Sequence, residues 1–247
     1  MDNELRIFWN RYFSFNWKLG LVLILIICVP RFLLVLTANE TGNYSSIGLM
    51  MIISALIPFI LLNRHGRKQI GIKKPKKIQI LAYALIAGLV FSFILHLLGT
   101  GLYDHTYENW YAYIGKSYNI PEGIPAQAKQ TMFAIMVITG MTFSPIGEEF
   151  FFRGIVHGSF AASIGHKKAS IVDSSAFALT HISHFGLVFV NDEWDFYSGP
   201  ALIWVMSMFL VSILFFQVKR TTDSIWGAVF CHSGFNLGMI YCIFYLL

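Results

Sequence analysis

Apolar residues run almost without interruption over 19–36, 47–62, 78–101, 132–146, 169–190, 201–218 and 224–247, with a shorter apolar piece at 150–164. About 20 mostly apolar residues cross the hydrocarbon core of a bilayer as a helix. Inside that core only helices and closed barrels satisfy their own backbone polar groups. The pattern predicts an all-α, polytopic membrane bundle of seven or eight transmembrane helices. The first stretch reads as a retained helix: the region before it is long and aromatic, Pro30 and Arg31 interrupt it, and Leu36-Thr37-Ala38 is a poor cleavage site.

The charged positions orient these helices. Arg64, Arg67, Lys68, Lys73, Lys74, Lys76 and Lys77 stand between the second and third stretches with no acidic residue among them, and such loops stay in the cytoplasm. The same rule places the N-terminus, with Arg6, Arg11 and Lys18, and the 63–77 loop inside. Glu40, the aromatic loop at 103–125 and the acidic loop at 191–195 fall outside. Lys167, Lys168, Lys219 and Arg220 also fall inside if 132–164 crosses once, or once with a re-entrant bend. Two crossings there give eight helices and put both basic pairs outside, and the sequence leaves that parity open. The 103–127 loop, rich in Tyr and Trp, is expected to lie on the membrane interface as a short amphipathic element.

Composition narrows the class. The chain is 56% hydrophobic and 13% charged, which excludes an ordinary soluble domain and leaves no extramembrane stretch able to bury its own core. There is no repeat or linker, so 1–247 reads as a single integral-membrane domain, with the motif-bearing catalytic core at about 128–247. The net charge of +5 needs no partner beyond the anionic lipid of the bilayer, and nucleic-acid binding is not expected. Cys28, Cys231 and Cys242 lack the paired spacing of redox or zinc motifs and read as packing residues. Oligomeric state is not encoded in the pattern.

Three polar groups stand where apolar residues are expected. In Ser144-Pro-Ile-Gly-Glu-Glu-Phe-Phe-Phe-Arg153 each charge costs about 2.5–3.5 kcal/mol to place in a membrane. Pro145 and Gly147 are expected to break or kink the helix just before the pair, and a helix restarting there would offer its N-terminal amides to the carboxylates. Glu149 and Arg153, at i and i+4, share one face as an ion pair. Glu148 points roughly 100° away, free to act on a water; the alternative is that all three charges form a structural cluster. The second group is Phe177-Ala-Leu-Thr-His181, with His184 as the alternative functional histidine and Asp173 expected near the helix start or interface, beside Lys167 and Lys168. In the third, His232 and Asn236 lie at i and i+4 on the last helix, where the small residues between them allow close helix approach. An imidazole and a carboxamide facing inward can donate hydrogen bonds to a developing oxyanion. His65, His96, His105, His157 and His166 lack a comparable partner pattern and receive no role.

Taken as EExxxR, FxxxH and HxxxN in that order on successive late helices, the set resembles the CPBP family, the CAAX-type prenyl endopeptidases and bacteriocin-processing enzymes also called the Abi family. The resemblance covers about 90 residues, 148 to 236, and none of the N-terminal third. It implies hydrolysis of a peptide bond within or beside the membrane. Glu148 would act as general base and His181 would help hold the attacking water. His232 and Asn236 would stabilise the oxyanion, with Glu149 and Arg153 as catalytic support. No cofactor is favoured; HExxH is absent, and zinc, if used, would take Glu148, His181 and His232 as ligands. The expected partner is a membrane-associated peptide or protein precursor, such as a bacteriocin leader or a quorum-sensing pheromone, at a bacterial cell membrane. Two other classes remain open: a non-enzymatic immunity or interaction protein, and, ranked last, an ion-coupled transporter, whose paired helix breaks have here only one counterpart.

Overall fold

The computed structural model describes residues 4–120 and 123–247, and within them the chain is almost entirely helical. α1 (Trp17–Thr41) starts at Asn16, whose side chain accepts the amides of Lys18 and Leu19, and stops at Gly42, whose φ of 71° only glycine adopts cheaply. There follow α2 (Ser45–Leu61), the short α3 (Arg64–Gln69), α4 (Ile80–Tyr103) and α5 (Trp110–Ser117). α6 (Ala126–Glu149) runs through a π-helical segment, Phe150–Val156, into α7 (His157–Ile164). α8 (His166–Thr180) and a 3₁₀ turn (His181–Ser183) lead to the hairpin β1 (Leu187–Val190) and β2 (Glu193–Phe196), then to α9 (Ser198–Thr222) and α10 (Ile225–Tyr245).

Five helical stretches are long and apolar enough to cross a membrane: Trp17–Thr41, Ile80–Tyr103, Ala126–Ile164, Ser198–Thr222 and Ile225–Tyr245. Ser45–Leu61 is a shorter apolar helix. Large apolar side chains such as Leu25, Leu33, Leu97, Ile138 and Leu202 stand exposed around the bundle, as lipid in place of water requires.

Three expectations are corrected. The stretch at 169–190 is not one spanning helix: α8 ends at Thr180, and 187–190 is a strand. Asn191 and Asp192 both take positive φ, 54° and 63°, which gives the two-residue turn that matches strand twist and pairs Val190 with Glu193. The aromatic loop does not lie flat on the interface. α5 turns inward, burying Trp110 and Tyr111 completely, and the Tyr111 hydroxyl bonds to Ser92; residues 121 and 122 of that loop lie outside the described residues. Nor does the helix break at Pro145 and Gly147. Ala126–Ile164 is continuous, and the departure from α geometry comes just after the glutamates, in the π turn.

That continuity has a cause on α10. Pro145 lacks the N–H that would bond the Met141 carbonyl. The Ser233 hydroxyl donates to that carbonyl at 2.7 Å, and the Asn236 amide donates to Gly140 O at 2.8 Å. Gly147 serves close packing instead, because a Cβ there would lie 2.5 Å from the Met51 carbonyl of α2.

α10 is the central helix, packed on α4, α6 and α9, and its seam with α4 is made by glycine. A Cβ on Gly88 would stand 1.8 Å from Cys231 O, and one on Gly234 would stand 1.9 Å from Leu85 O. Gly234→Ala therefore forces backbone apart, at an expected cost of about 1–3 kcal/mol. Thermal unfolding in detergent should show the loss, with Gly101→Ala, whose added methyl meets nothing, as the silent control. Equal melting of the two variants would contradict the seam.

Candidate active site

α6 delivers Glu148 and Glu149 to the centre of the bundle as consecutive buried residues that face different partners. Glu148 Oε1 accepts from Arg31 Nη2 at 2.9 Å and from the Ser144 hydroxyl at 2.7 Å. Its other oxygen is buried without a hydrogen-bond partner among the described residues. His181 Nε2 lies 3.8 Å from that oxygen. Arg31 comes from α1, immediately after Pro30, and is itself buried.

His181 sits where α8 gives way to the 3₁₀ turn. Its Nδ1 lies 2.7 Å from the Phe177 carbonyl, which can only accept, so Nδ1 carries the hydrogen. A neutral ring then presents the Nε2 lone pair toward Glu148. Trp204 Nε1 donates to the His181 carbonyl, and the Phe177 ring lies against the imidazole with centroids 4.2 Å apart. The FxxxH spacing thus supplies both the backbone acceptor and the aromatic wall that fix this ring.

Glu149 turns to the opposite side. Its Oε1 accepts from His232 Nδ1 at 2.8 Å, and its Oε2 pairs with Arg153 Nε at 3.1 Å, the ion pair that the spacing predicts. Arg153 is fully buried, donates to the Ser212 hydroxyl and lies 4.4 Å from the Phe177 ring and 5.2 Å from that of Phe215. Phe215 also stacks on His232. Glu149 and Arg153 therefore stand behind the site and hold His232. The π segment carries Arg153, and the wider turn is a frequent mark of functional helices.

Glu148, His181, His232 and Asn236, which lie on three separate stretches of the chain, all line one cavity of about 200 Å³. Its remaining wall is mostly apolar, with Met51, Trp204, Met208, Phe235 and Ile240. That volume holds several waters or one bulky side chain. His184 also lines it. Sequence reasoning missed Arg31 and Ser144. Arg31 carries a usable signal, since a lone charge within an apolar stretch needs a buried partner.

Asp173 is placed differently from expectation, and His157 and His166 have contacts that spacing does not reveal. Asp173 is not at the helix start but two turns into α8, fully buried, with His157 Nδ1 at 2.6 Å. His157, assigned no role, in turn meets His166 at 3.0 Å. The tight reversal at Gly165, with φ of 78°, folds α7 against α8 and makes this chain of contacts, which linear spacing does not reveal.

Among the described residues no group of three His, Cys, Asp or Glu side chains is placed to hold a metal ion. Glu148 Oε1 already faces the Arg31 guanidinium, and His232 Nδ1 already faces Glu149.

No curated protein and no solved structure matches the chain. Residues 130–238 match the family model described as type II CAAX prenyl endopeptidase Rce1-like. That stretch holds the glutamate pair, His181, His232 and Asn236 but not Arg31, and over it the chain is similar to the CPBP family.

Proposed function

We propose that the protein is an intramembrane endopeptidase in which Glu148 activates water. One observation carries this reading: the uncommitted Glu148 oxygen and His181 Nε2 stand 3.8 Å apart on the wall of a cavity also lined by His232 and Asn236. A water on the cavity side, within hydrogen-bond reach of both atoms, donates one hydrogen to each and turns a lone pair toward the cavity. Glu148 takes the proton as the oxygen attacks the peptide carbonyl. With Nδ1 committed to Glu149, His232 has Nε2 left for substrate, and it donates to the oxyanion when the ring carries both protons. Asn236 has a second amide hydrogen beyond the one given to Gly140. Arg31 and Ser144 aim the carboxylate, and Glu149 with Arg153 aims His232. The mostly apolar cavity suits a peptide bond flanked by apolar side chains in a membrane-associated precursor.

The count that fits is seven crossings: the five long apolar helices, the shorter α2, and the region 166–190, of which α8 supplies only the first part. A continuous helix crosses once, and Lys73, Lys167, Lys219 and Arg220 then gather at one end of the bundle, all lining one pocket. The basic-loop rule makes that end cytoplasmic and puts the β1–β2 hairpin outside.

The test is a comparison of peptides from cells carrying the wild type or Glu148→Gln at matched expression, followed by cleavage of any differing peptide with purified protein. A glutamate mechanism predicts that chelation leaves the rate unchanged. A rate lost to chelator and restored by zinc would overturn it, and identical peptide profiles would favour a non-enzymatic interaction protein.

A further inference from the structure

A second cavity, larger than the first at about 540 Å³, opens at the basic end of the bundle. The loop after α3, the start of α8 and the α9–α10 turn bring Lys73, His166, Lys167, Lys219, Arg220 and Asp223 to its wall. The one carboxylate among these is already committed. Asp223 pairs with Lys73 at 2.9 Å and with Lys76 at 3.3 Å, and hydrogen bonds from those two lysines hold its carboxyl below the usual range. Among the described residues no carboxylate stands within ion-pair distance of Lys167, Lys219 or Arg220, while Lys219 donates to the Arg153 carbonyl.

Mutually repelling cations on one wall are unfavourable; Asp173 and Glu149 act on Lys219 only from beyond ion-pair distance, and the start of α8 adds to the imbalance. α8 has no side-chain cap and no acidic residue in its first turn, where His166, Lys167 and Lys168 stand instead. The helix dipole disfavours cations there and favours an anion. A phosphate matches the multiple donors, since lysine and arginine on several elements can each take one of its oxygens, and the cavity leaves room beside it for the rest of a phosphate-bearing molecule.

We propose that this pocket binds a phosphate group, held by Lys167, Lys219 and Arg220. At the end of a membrane bundle two sources carry that chemistry, the headgroup of an anionic lipid and a soluble phosphate compound. The site is separate from the Glu148 cavity and stands whether or not that cavity hydrolyses peptides.

The experiment uses the full chain in nanodiscs of neutral phosphatidylcholine, alone, with added phosphatidic acid, or with inorganic phosphate in solution, and reads the thermal midpoint and the apparent affinity. The test variant is Lys167→Gln with Arg220→Gln, both at exposed positions where refolding cost is small. Lys74→Gln with Lys77→Gln removes equal charge from the same end outside the pocket. The proposal expects a rise in midpoint for the wild type and the Lys74/Lys77 variant. It expects binding to weaken about fivefold per lost cation, roughly 25- to 30-fold in all, in the Lys167/Arg220 variant. A rise with phosphatidic acid alone identifies the lipid source, and a rise with inorganic phosphate in neutral discs the soluble one. No rise in either, or an equal loss in both variants, overturns the pocket.

Discussion

Glu148→Gln is expected to lower peptide hydrolysis by about two to four orders of magnitude, the range that loss of a general base commands. Glutamine keeps an oxygen for Arg31 and Ser144, so the side chain stays aimed, but it has no lone-pair basicity with which to take a proton from water. The same change leaves the buried Arg31 guanidinium without its counter-charge, and breaking a buried pair in this way costs about 3–5 kcal/mol. Lost activity and lost stability therefore need separation. Arg31→Met combined with Glu148→Gln removes both charges, and it should regain much of the stability while staying inactive. His181→Ala should lose activity with less destabilisation, because the imidazole is 3.8 Å from Glu148 and makes no charge-compensating contact as close as that of Arg31. Initial rates on one peptide, with unfolding in detergent measured alongside, decide the matter. A Glu148→Gln enzyme that cleaves at the wild-type rate ends the glutamate mechanism.

How far the chain could be read depended on whether each contact was local. Glu149 and Arg153 are neighbours through the helix repeat alone, and their pair follows from spacing. Hydropathy gave the helical class and five of the spans for the same reason, since lipid-facing residues are apolar whatever they pack against. The extent of 169–190 went wrong because hydropathy does not separate helix from strand in a short apolar run. The Asn191-Asp192 turn and Gly186 were the marks that 187–190 pairs with 193–196. Pro145 misled in the opposite direction: a local rule says break, and the hydroxyl of Ser233, 92 residues away, keeps the helix whole. Arg31 with Glu148, 117 residues apart, and His157 with Asp173, across a reversal of chain, are contacts of the tertiary fold. The three motifs name the residues of the cavity, but the residue that compensates the central carboxylate lies outside them.

The second large effect falls on Arg153. Arg153→Met should destabilise the fold by about 3–5 kcal/mol, because Glu149 would remain buried with a charge and without its ion-pair partner. Lysine should not rescue it. The guanidinium is planar, lies against Phe177 and Phe215 and reaches Ser212 and Glu149 from different nitrogens, whereas an ammonium is a point charge without that fork. Glu149→Gln with Arg153→Met removes both charges and should recover stability, since an apolar replacement for a buried pair is often neutral or better. Activity should not return with it. Glutamine at 149 offers His232 Nδ1 a neutral acceptor in place of a carboxylate, and a ring held by the weaker bond is less firmly fixed. The decisive pattern is therefore a double variant that unfolds like the wild type yet turns over slowly, with the loss in kcat. A double variant as active as the wild type would assign the pair to packing alone, and a single Arg153→Met protein that melts like the wild type would show that the buried carboxylate has another counter-charge.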